Sequence, residues 1–169
     1  MVGNWLLCGS PEEVSISPDL SRRKMRDSNT IAEGARISIV DDDESMREAI
    51  KTLIGSLGLG AEEFSSAEDF LNSDRSQVVD CLILDIRMPG LSGLELQRRL
   101  AADNRRIPIV FMTAHYSEEE RTKAMEAGAV DFLSKPFTEQ ELLNAISASL
   151  AIRKKIADGS DEDSDLNSV

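Results

Sequence analysis

The side chains with the most chemistry in this 169-residue chain stand directly behind short apolar runs. Asp41-Asp42-Asp43 follows Ile37–Val40, Asp85 follows Cys81–Leu84, Thr113-Ala114 follows Ile107–Met112, and Ser134-Lys135-Pro136 follows Val130–Leu133. Carboxylates gathered in one place repel one another and bind protons more readily unless a cation sits among them. A hard divalent ion such as Mg²⁺, held by one or two carboxylates and water, suits these oxygens better than zinc does. The sole histidine, His115, offers no His/Cys set for zinc. Magnesium with few protein ligands usually shares its shell with phosphate. Lys135 adds a compact charge for a phosphoryl oxygen, Thr113 adds a hydroxyl, and a carboxylate can itself be a phosphoryl nucleophile. Each residue alone has a plainer reading. Asp43 or Glu44 can cap a helix, Lys135 can be a surface lysine, and Thr113 can be a buried strand residue. Matched chemistry at four successive strand ends is hard to obtain by accident.

These groups meet only if the elements behind them line up. The four apolar runs, with a weaker one at Ala61–Phe64, lack alternation, as strands buried on both faces of a parallel sheet do. Met46, Ile50, Leu53, Ile54 and Leu57 form one helical stripe, and Leu142, Leu143, Ile146 and Leu150 form another. Ser66 with Asp69, Ser92 with Glu95, Ser117 with Glu120 and Thr138 with Glu141 have capping-box spacing, although Asp69 is short for the return bond. Gly58 and Gly128 stand where left-handed helix ends are expected. Strict alternation of five strands and five helices predicts an α/β fold: an open, doubly wound, five-stranded parallel sheet, (βα)5. In such sheets ligands bind beyond the carboxyl ends of the strands, where the winding reverses. Asp41, Asp42, Asp85, Thr113 and Lys135 all belong to that edge.

Composition limits the alternatives. With 19 Lys+Arg against 31 Asp+Glu the net charge is −12, a poor field for nucleic acid or anionic membrane. No apolar stretch approaches the ~20 residues of a membrane span. Trp5-Leu6-Leu7-Cys8 lacks the basic region of a signal peptide. Cys8 and Cys81 form neither a CxxC nor a disulfide framework, which fits reduced thiols in a cytoplasmic protein. Residues 1–35 show no periodicity and read as a disordered extension, with Met25 an alternative start that leaves residues 1–24 open as translated sequence. Residues 36–154 read as the folded domain. Residues 155–169, with one basic and five acidic groups, read as an acidic disordered tail.

Ile39-Val40-Asp41-Asp42-Asp43, Leu82–Gly90, Phe111-Met112-Thr113-Ala114 and Phe132-Leu133-Ser134-Lys135-Pro136-Phe137 together resemble the receiver domain of bacterial two-component response regulators. Asp85-Ile86-Arg87-Met88-Pro89-Gly90-Leu91-Ser92-Gly93 is especially similar to receivers of the nitrogen-fixation regulator type. The resemblance spans residues 36–154 and implies a flavodoxin-like fold. It implies that Asp85 is the phosphoacceptor, that Asp42 and Asp85 bind Mg²⁺ directly, and that Asp41 acts partly through water. The Arg87 backbone carbonyl would complete the protein's share of that shell. Lys135 would pair with Asp85 and then with its phosphoryl group, and its bond to Pro136 would be cis. The donor would be a phosphohistidine on a sensor histidine kinase. Thr113 and Phe132 would form a switch, with Phe132 standing where tyrosine is common; Phe132 reads equally well as a plain core aromatic. Arg87 and His115 occupy positions that tune phosphate lifetime, His115 reading better as a rim residue than as a base. The switched surface would be the fourth helix, fifth strand and fifth helix, offered to a protein partner or a second copy. Such a protein promotes its own phosphorylation and dephosphorylation and is not a turnover enzyme.

Two features set limits on this reading. No helix-turn-helix pattern follows the last helix, so direct DNA binding is not expected, and the chain is either a stand-alone receiver or part of a longer regulator. Asp41-x-Asp43 also resembles the nucleophile motif of haloacid-dehalogenase-type phosphatases. That chemistry needs a further acidic pair beyond its lysine, and after Lys135 only Glu139, Glu141 and the tail are found. A receiver fold used as a phosphorylation-independent binding module is the third reading, and it leaves the intact acidic set without a purpose.

Overall fold

The computed structural model describes residues 34–158. Five strands alternate with five helices: β1 (Arg36–Val40), α1 (Glu44–Ser56), β2 (Gly60–Phe64), α2 (Ala67–Asn72), β3 (Cys81–Asp85), α3 (Gly93–Ala102), β4 (Ile109–Thr113), α4 (Glu118–Glu126), β5 (Asp131–Ser134) and α5 (Glu139–Ala157). A 3₁₀ turn, Asp74–Gln77, precedes β3. The strands form one sheet in the order β2-β1-β3-β4-β5, and every pairing is parallel. The order reverses between β1 and β3, as expected of a doubly wound sheet.

The apolar runs are continuous because alternate residues of each strand serve opposite layers. Leu82 and Leu84 of β3 pack with Phe111, with Phe70 of α2, with Leu96 and Leu100 of α3 and with Ala124 of α4. Cys81 and Ile83 face the other way, among Ile39, Val110 and Met112, Ile50 and Ile54 of α1, and Leu142, Ile146 and Leu150 of α5. Burial of each such aliphatic side chain contributes about 1.5–3 kcal/mol. Both layers therefore hold the central strands, and their register, rigidly.

Helix starts are fixed by side chains. Ser66, Ser92, Ser117 and Thr138 each accept from the backbone N–H three residues on. The return bond is made at Ser92 by Glu95 and at Thr138 by Glu141. Asp69 instead accepts from Ser65 Oγ at 2.7 Å. Gly58 (φ +77°) and Gly128 (φ +90°) end their helices in the left-handed region that glycine enters without steric cost.

Some expectations need correction. Leu57 lies outside α1 as its C-cap and is 38% exposed. The turn at Gly58 reverses the chain, so Leu59 is the residue buried. The strand read at Ile107–Met112 begins at Ile109. Pro108 has no N–H for the ladder, although its carbonyl still accepts from Leu82 N at 2.9 Å. Helix α5 runs to Ala157, past residue 154, with Ile156 half-buried. Of the extension expected to be disordered over residues 1–35, Ala35 is instead buried in the core with Ile37; residues 1–33 and 159–169, and with them Cys8, fall outside the described residues. Among the described residues no helix is long and apolar enough to cross a membrane.

Candidate functional site

Register gathers the acidic groups. Val40 of β1 pairs with Leu84 of β3, so Asp41 and Asp85 leave neighbouring strands at the same level. Asp85 pairs with Met112 and Thr113 with Ser134, which brings Thr113 and Lys135 to that edge. One carboxylate oxygen from each of Asp41, Asp42 and Asp85 lies within 4.8 Å of the others. Asp41 is fully buried, Asp85 is 5% exposed and Asp42 is open to solvent.

Each carboxylate has a distinct task. Asp41 Oδ1 accepts from Asp43 N at 2.9 Å, and its Oδ2 accepts from Lys135 Nζ at 2.7 Å. Arg47 Nη1, reaching back from α1, donates to the Asp41 carbonyl at 2.7 Å. Asp85 Oδ1 accepts from Lys135 Nζ at 3.3 Å, and its Oδ2 accepts from Arg87 N at 3.2 Å. Asp43 turns away and caps α1, accepting from Ser45 N and Met46 N. Its carboxylate is thereby committed to the helix, which removes the second member of the Asp41-x-Asp43 phosphatase motif.

Lys135 bridges Asp41 and Asp85, closer to Asp41 than the sequence suggested. Its backbone N–H donates to the Thr113 carbonyl at 2.7 Å, and the Lys135–Pro136 bond is cis. The electrostatics follow from three carboxylates facing one ammonium. Burial raises the pKa of Asp85; Lys135 opposes this, while Asp41 and Asp42 add to it. For Lys135, burial works against the charged form, but the hydrogen bonds and charges of Asp41 and Asp85 prevail and raise its pKa. The set carries an excess of negative charge on hard oxygen donors, with Asp42 open to solvent. That chemistry fits a divalent cation, and these three carboxylates could hold one.

The loops around the pocket are held by contacts with little local signature. A Cβ on Gly93 would lie 2.3 Å from the Asp85 carbonyl oxygen, so only glycine lets α3 start against β3. Glu68 of α2 accepts from Leu91 N at 2.9 Å and ties down the stretch after Asp85. Arg87 Nη2 lies 3.4 Å from Glu120 Oε1 at the start of α4.

The remaining sequence candidates surround this centre without joining it. Thr113 is 1% exposed, and its hydroxyl donates to the His115 carbonyl at 3.1 Å and accepts from His115 N at 3.2 Å. His115 is exposed, a rim position. Phe132 is 8% exposed, with its ring 6.4 Å from that of Phe111. The ring of Tyr116, itself 54% exposed, meets Phe132 edge-on at 5.9 Å. Sequence reasoning missed Tyr116 and Glu68, and it read Glu120 as the return partner of Ser117, whereas its carboxylate faces Arg87. Their partners lie on other elements, and no local spacing announces those contacts.

Residues 37–147 match the response regulator receiver domain family. The chain belongs to that family. It is 49% identical over 116 residues to the response regulator protein TodT of Pseudomonas putida, covering 69% of this chain and 51% of TodT. It is 49% identical over 115 residues to nodulation protein W of Bradyrhizobium diazoefficiens, covering 68% and 51%. FixJ of the same organism is 39% identical over 114 residues, 68% of this chain and 56% of FixJ, in keeping with the nitrogen-fixation regulator resemblance. Among solved structures, the response regulator StyR is 44% identical with a TM-score of 0.69, covering 75% of this chain and 64% of StyR. The FixJ-N structure is 34% identical with a TM-score of 0.65, covering 71% and 96%. The chain spans about half the length of the curated relatives it matches. It is thus a receiver domain of two-component signalling, with the five-stranded parallel architecture of receiver folds.

Proposed function

We propose that residues 36–154 receive a phosphoryl group on Asp85 from a sensor histidine kinase, in the cytoplasm. The observation that carries this reading is the Lys135 ammonium, shared between Asp41 at 2.7 Å and Asp85 at 3.3 Å. Asp42 and Asp85 would hold Mg²⁺ directly, with Asp41 acting partly through water and the Arg87 backbone carbonyl completing the protein's share of the shell. When bound, Mg²⁺ supplies positive charge and orientation for phosphoryl oxygens.

The protein's own contribution is placement and charge. An Asp85 oxygen bonds to phosphorus as the P–N bond to the donor imidazole breaks, and that electron pair returns to the ring nitrogen. Lys135 offsets the negative charge on the transferring group, and Asp41, fully buried, keeps the ammonium aimed into the pocket. The nearly complete burial of Asp85 limits access to donors that fit the edge of the sheet.

The product alters its surroundings. A phosphoryl group brings about −1.5 to −2 charge and new acceptor oxygens. The Thr113 hydroxyl, now bound only within its own loop, has a stronger acceptor available across β3. Its departure changes the space available to Phe132, whose ring contacts Phe111 and Tyr116. A rearranged α4–β5–α5 surface is what a protein partner or a second copy would read.

Incubation of the protein with acetyl phosphate and Mg²⁺ tests the reading. One acid-stable, base-labile phosphoryl group is expected, absent in Asp85→Asn, which should remain folded. Steady hydrolysis of phosphate esters that depends on Asp41 and spares Asp85→Asn would instead indicate a phosphatase. Partner binding unchanged by beryllofluoride would indicate a passive binding module.

A further inference from the structure

The first turn of α4 carries three consecutive acidic residues, Glu118, Glu119 and Glu120, and each has its own cation. Glu118 pairs with Arg121 at 3.6 Å and Glu119 with Lys123 at 2.6 Å, both within the helix. Glu120 differs. Its cation is Arg87, 33 residues earlier, on the loop that follows Asp85.

Glu120 depends on this partner more than its neighbours depend on theirs. Its side chain is 24% exposed, against 68% for Glu118 and 76% for Glu119. Its Oε2 is buried with no hydrogen-bond partner among the described residues. A buried carboxylate oxygen without a donor is costly, and the guanidinium on Oε1 is what offsets it. Without Arg87, the buried Oε2 loses this compensation, and its hydration favours an outward movement of the first turn of α4. Arg87 is anchored at the opposite end, since its backbone N–H donates to Asp85 Oδ2 at 3.2 Å. Its flexible side chain, 55% exposed, is therefore rooted beside the carboxylate that the proposed function makes the phosphoacceptor.

We propose that the Arg87–Glu120 ion pair is a latch between the phosphorylation site and α4, which opens when Asp85 gains a phosphoryl group. Arginine favours phosphate oxygens, which it meets with paired donors, and the phosphoryl group carries more charge than one carboxylate. Arg87 turns toward Asp85, Glu120 loses its cation, and the start of α4 loosens. This path runs through charge on the outer side of the pocket, separate from any movement of Thr113 and Phe132. It rests on the phosphoacceptor reading of Asp85. A partly exposed ion pair biases an equilibrium without locking it, so the effect expected is roughly two- to fivefold.

Amide hydrogen exchange across Glu118–Thr122, with and without beryllofluoride and Mg²⁺, measures the latch in the full chain. In the unmodified sequence beryllofluoride should speed exchange in this segment roughly two- to fivefold. Glu120→Ala should exchange at the faster rate without beryllofluoride and respond little to it. Glu120→Gln, which keeps the side chain's shape, should behave in the same direction if Glu120→Ala folds poorly. Acetyl phosphate should still load one phosphoryl group onto both variants, because Glu120 takes no part in the transfer. Loading of the parent protein with no change in α4 exchange would overturn the latch alone. An equal response to beryllofluoride in the parent and in Glu120→Gln would do the same. Failure of the parent protein to load would overturn the phosphoacceptor reading and the latch with it.

Discussion

The Lys135 ammonium stands closer to Asp41, at 2.7 Å, than to Asp85, at 3.3 Å. Asp41 is fully buried and takes Lys135 on one oxygen and the Asp43 backbone on the other. It therefore acts as the fixed post from which Lys135 reaches the more accessible carboxylate. Lys135→Met leaves Asp41 and Asp85 without their shared cation and should destabilise the metal-free protein by about 2 kcal/mol. Urea unfolding checks this, and added Mg²⁺ should restore part of the loss. A variant as stable as the parent would show that the ammonium does not hold the pocket together.

Asp85→Asn should act in the opposite direction. Burial raises the Asp85 pKa in the folded state, so the folded protein holds this proton more tightly than the unfolded chain. As pH rises from the ordinary aspartate value through the raised folded value, this group removes stability. Above that window the ionised Asp85 is a net cost. Asp85→Asn removes the cost and should raise metal-free stability near neutral pH by about 1 kcal/mol, a few degrees in Tm. Thermal melts across pH 4–8 should show the gap between the two proteins widen as pH rises.

Gly93→Ala tests the packing behind Asp85. The added Cβ would lie 2.3 Å from the Asp85 carbonyl oxygen, a backbone atom that cannot swing aside. Either α3 or the end of β3 must shift, and overpacking of this kind costs about 1–3 kcal/mol. Because the shift falls at Asp85, phosphoryl loading from acetyl phosphate should slow along with the drop in unfolding free energy. Normal loading in a destabilised variant would mean that α3 absorbs the whole displacement.

Cys81 offers a probe of the opposite layer. It is fully buried among β-strand and α5 side chains, and burial pushes its thiol up to about 12. At pH 8 it should resist iodoacetamide in the folded protein and react once urea unfolds the sheet. Rapid alkylation under native conditions, located to Cys81 by peptide mapping, would contradict the packing of α5 on β3.

Much of this arrangement was legible in the sequence because local physics writes it there. Unbroken apolar runs such as Cys81–Leu84 identify strands that serve two layers. Hydroxyls three residues ahead of carboxylates, at Ser92 and Thr138, mark helix starts. Asp41, Asp42, Asp85 and Lys135 were found because they stand at strand ends, and parallel register turns that order into proximity. What escaped depends on side chains meeting across elements. Glu68 reaches the Leu91 backbone from another helix, Tyr116 covers Phe132 from a loop, and Arg87 finds Glu120 on α4. Leu57 departs from its stripe for a related reason: periodicity continues through a residue that the turn at Gly58 takes out of the helix.

Borohydride reduction of the protein after treatment with acetyl phosphate and Mg²⁺ locates the phosphoryl group on the chain. Reduction converts an aspartyl phosphate to homoserine, and peptide mapping then reads its position. Homoserine at position 85, absent without Mg²⁺ or acetyl phosphate, is the result predicted. Homoserine at position 41 or 43, or none at all after full exposure to the donor, would contradict it.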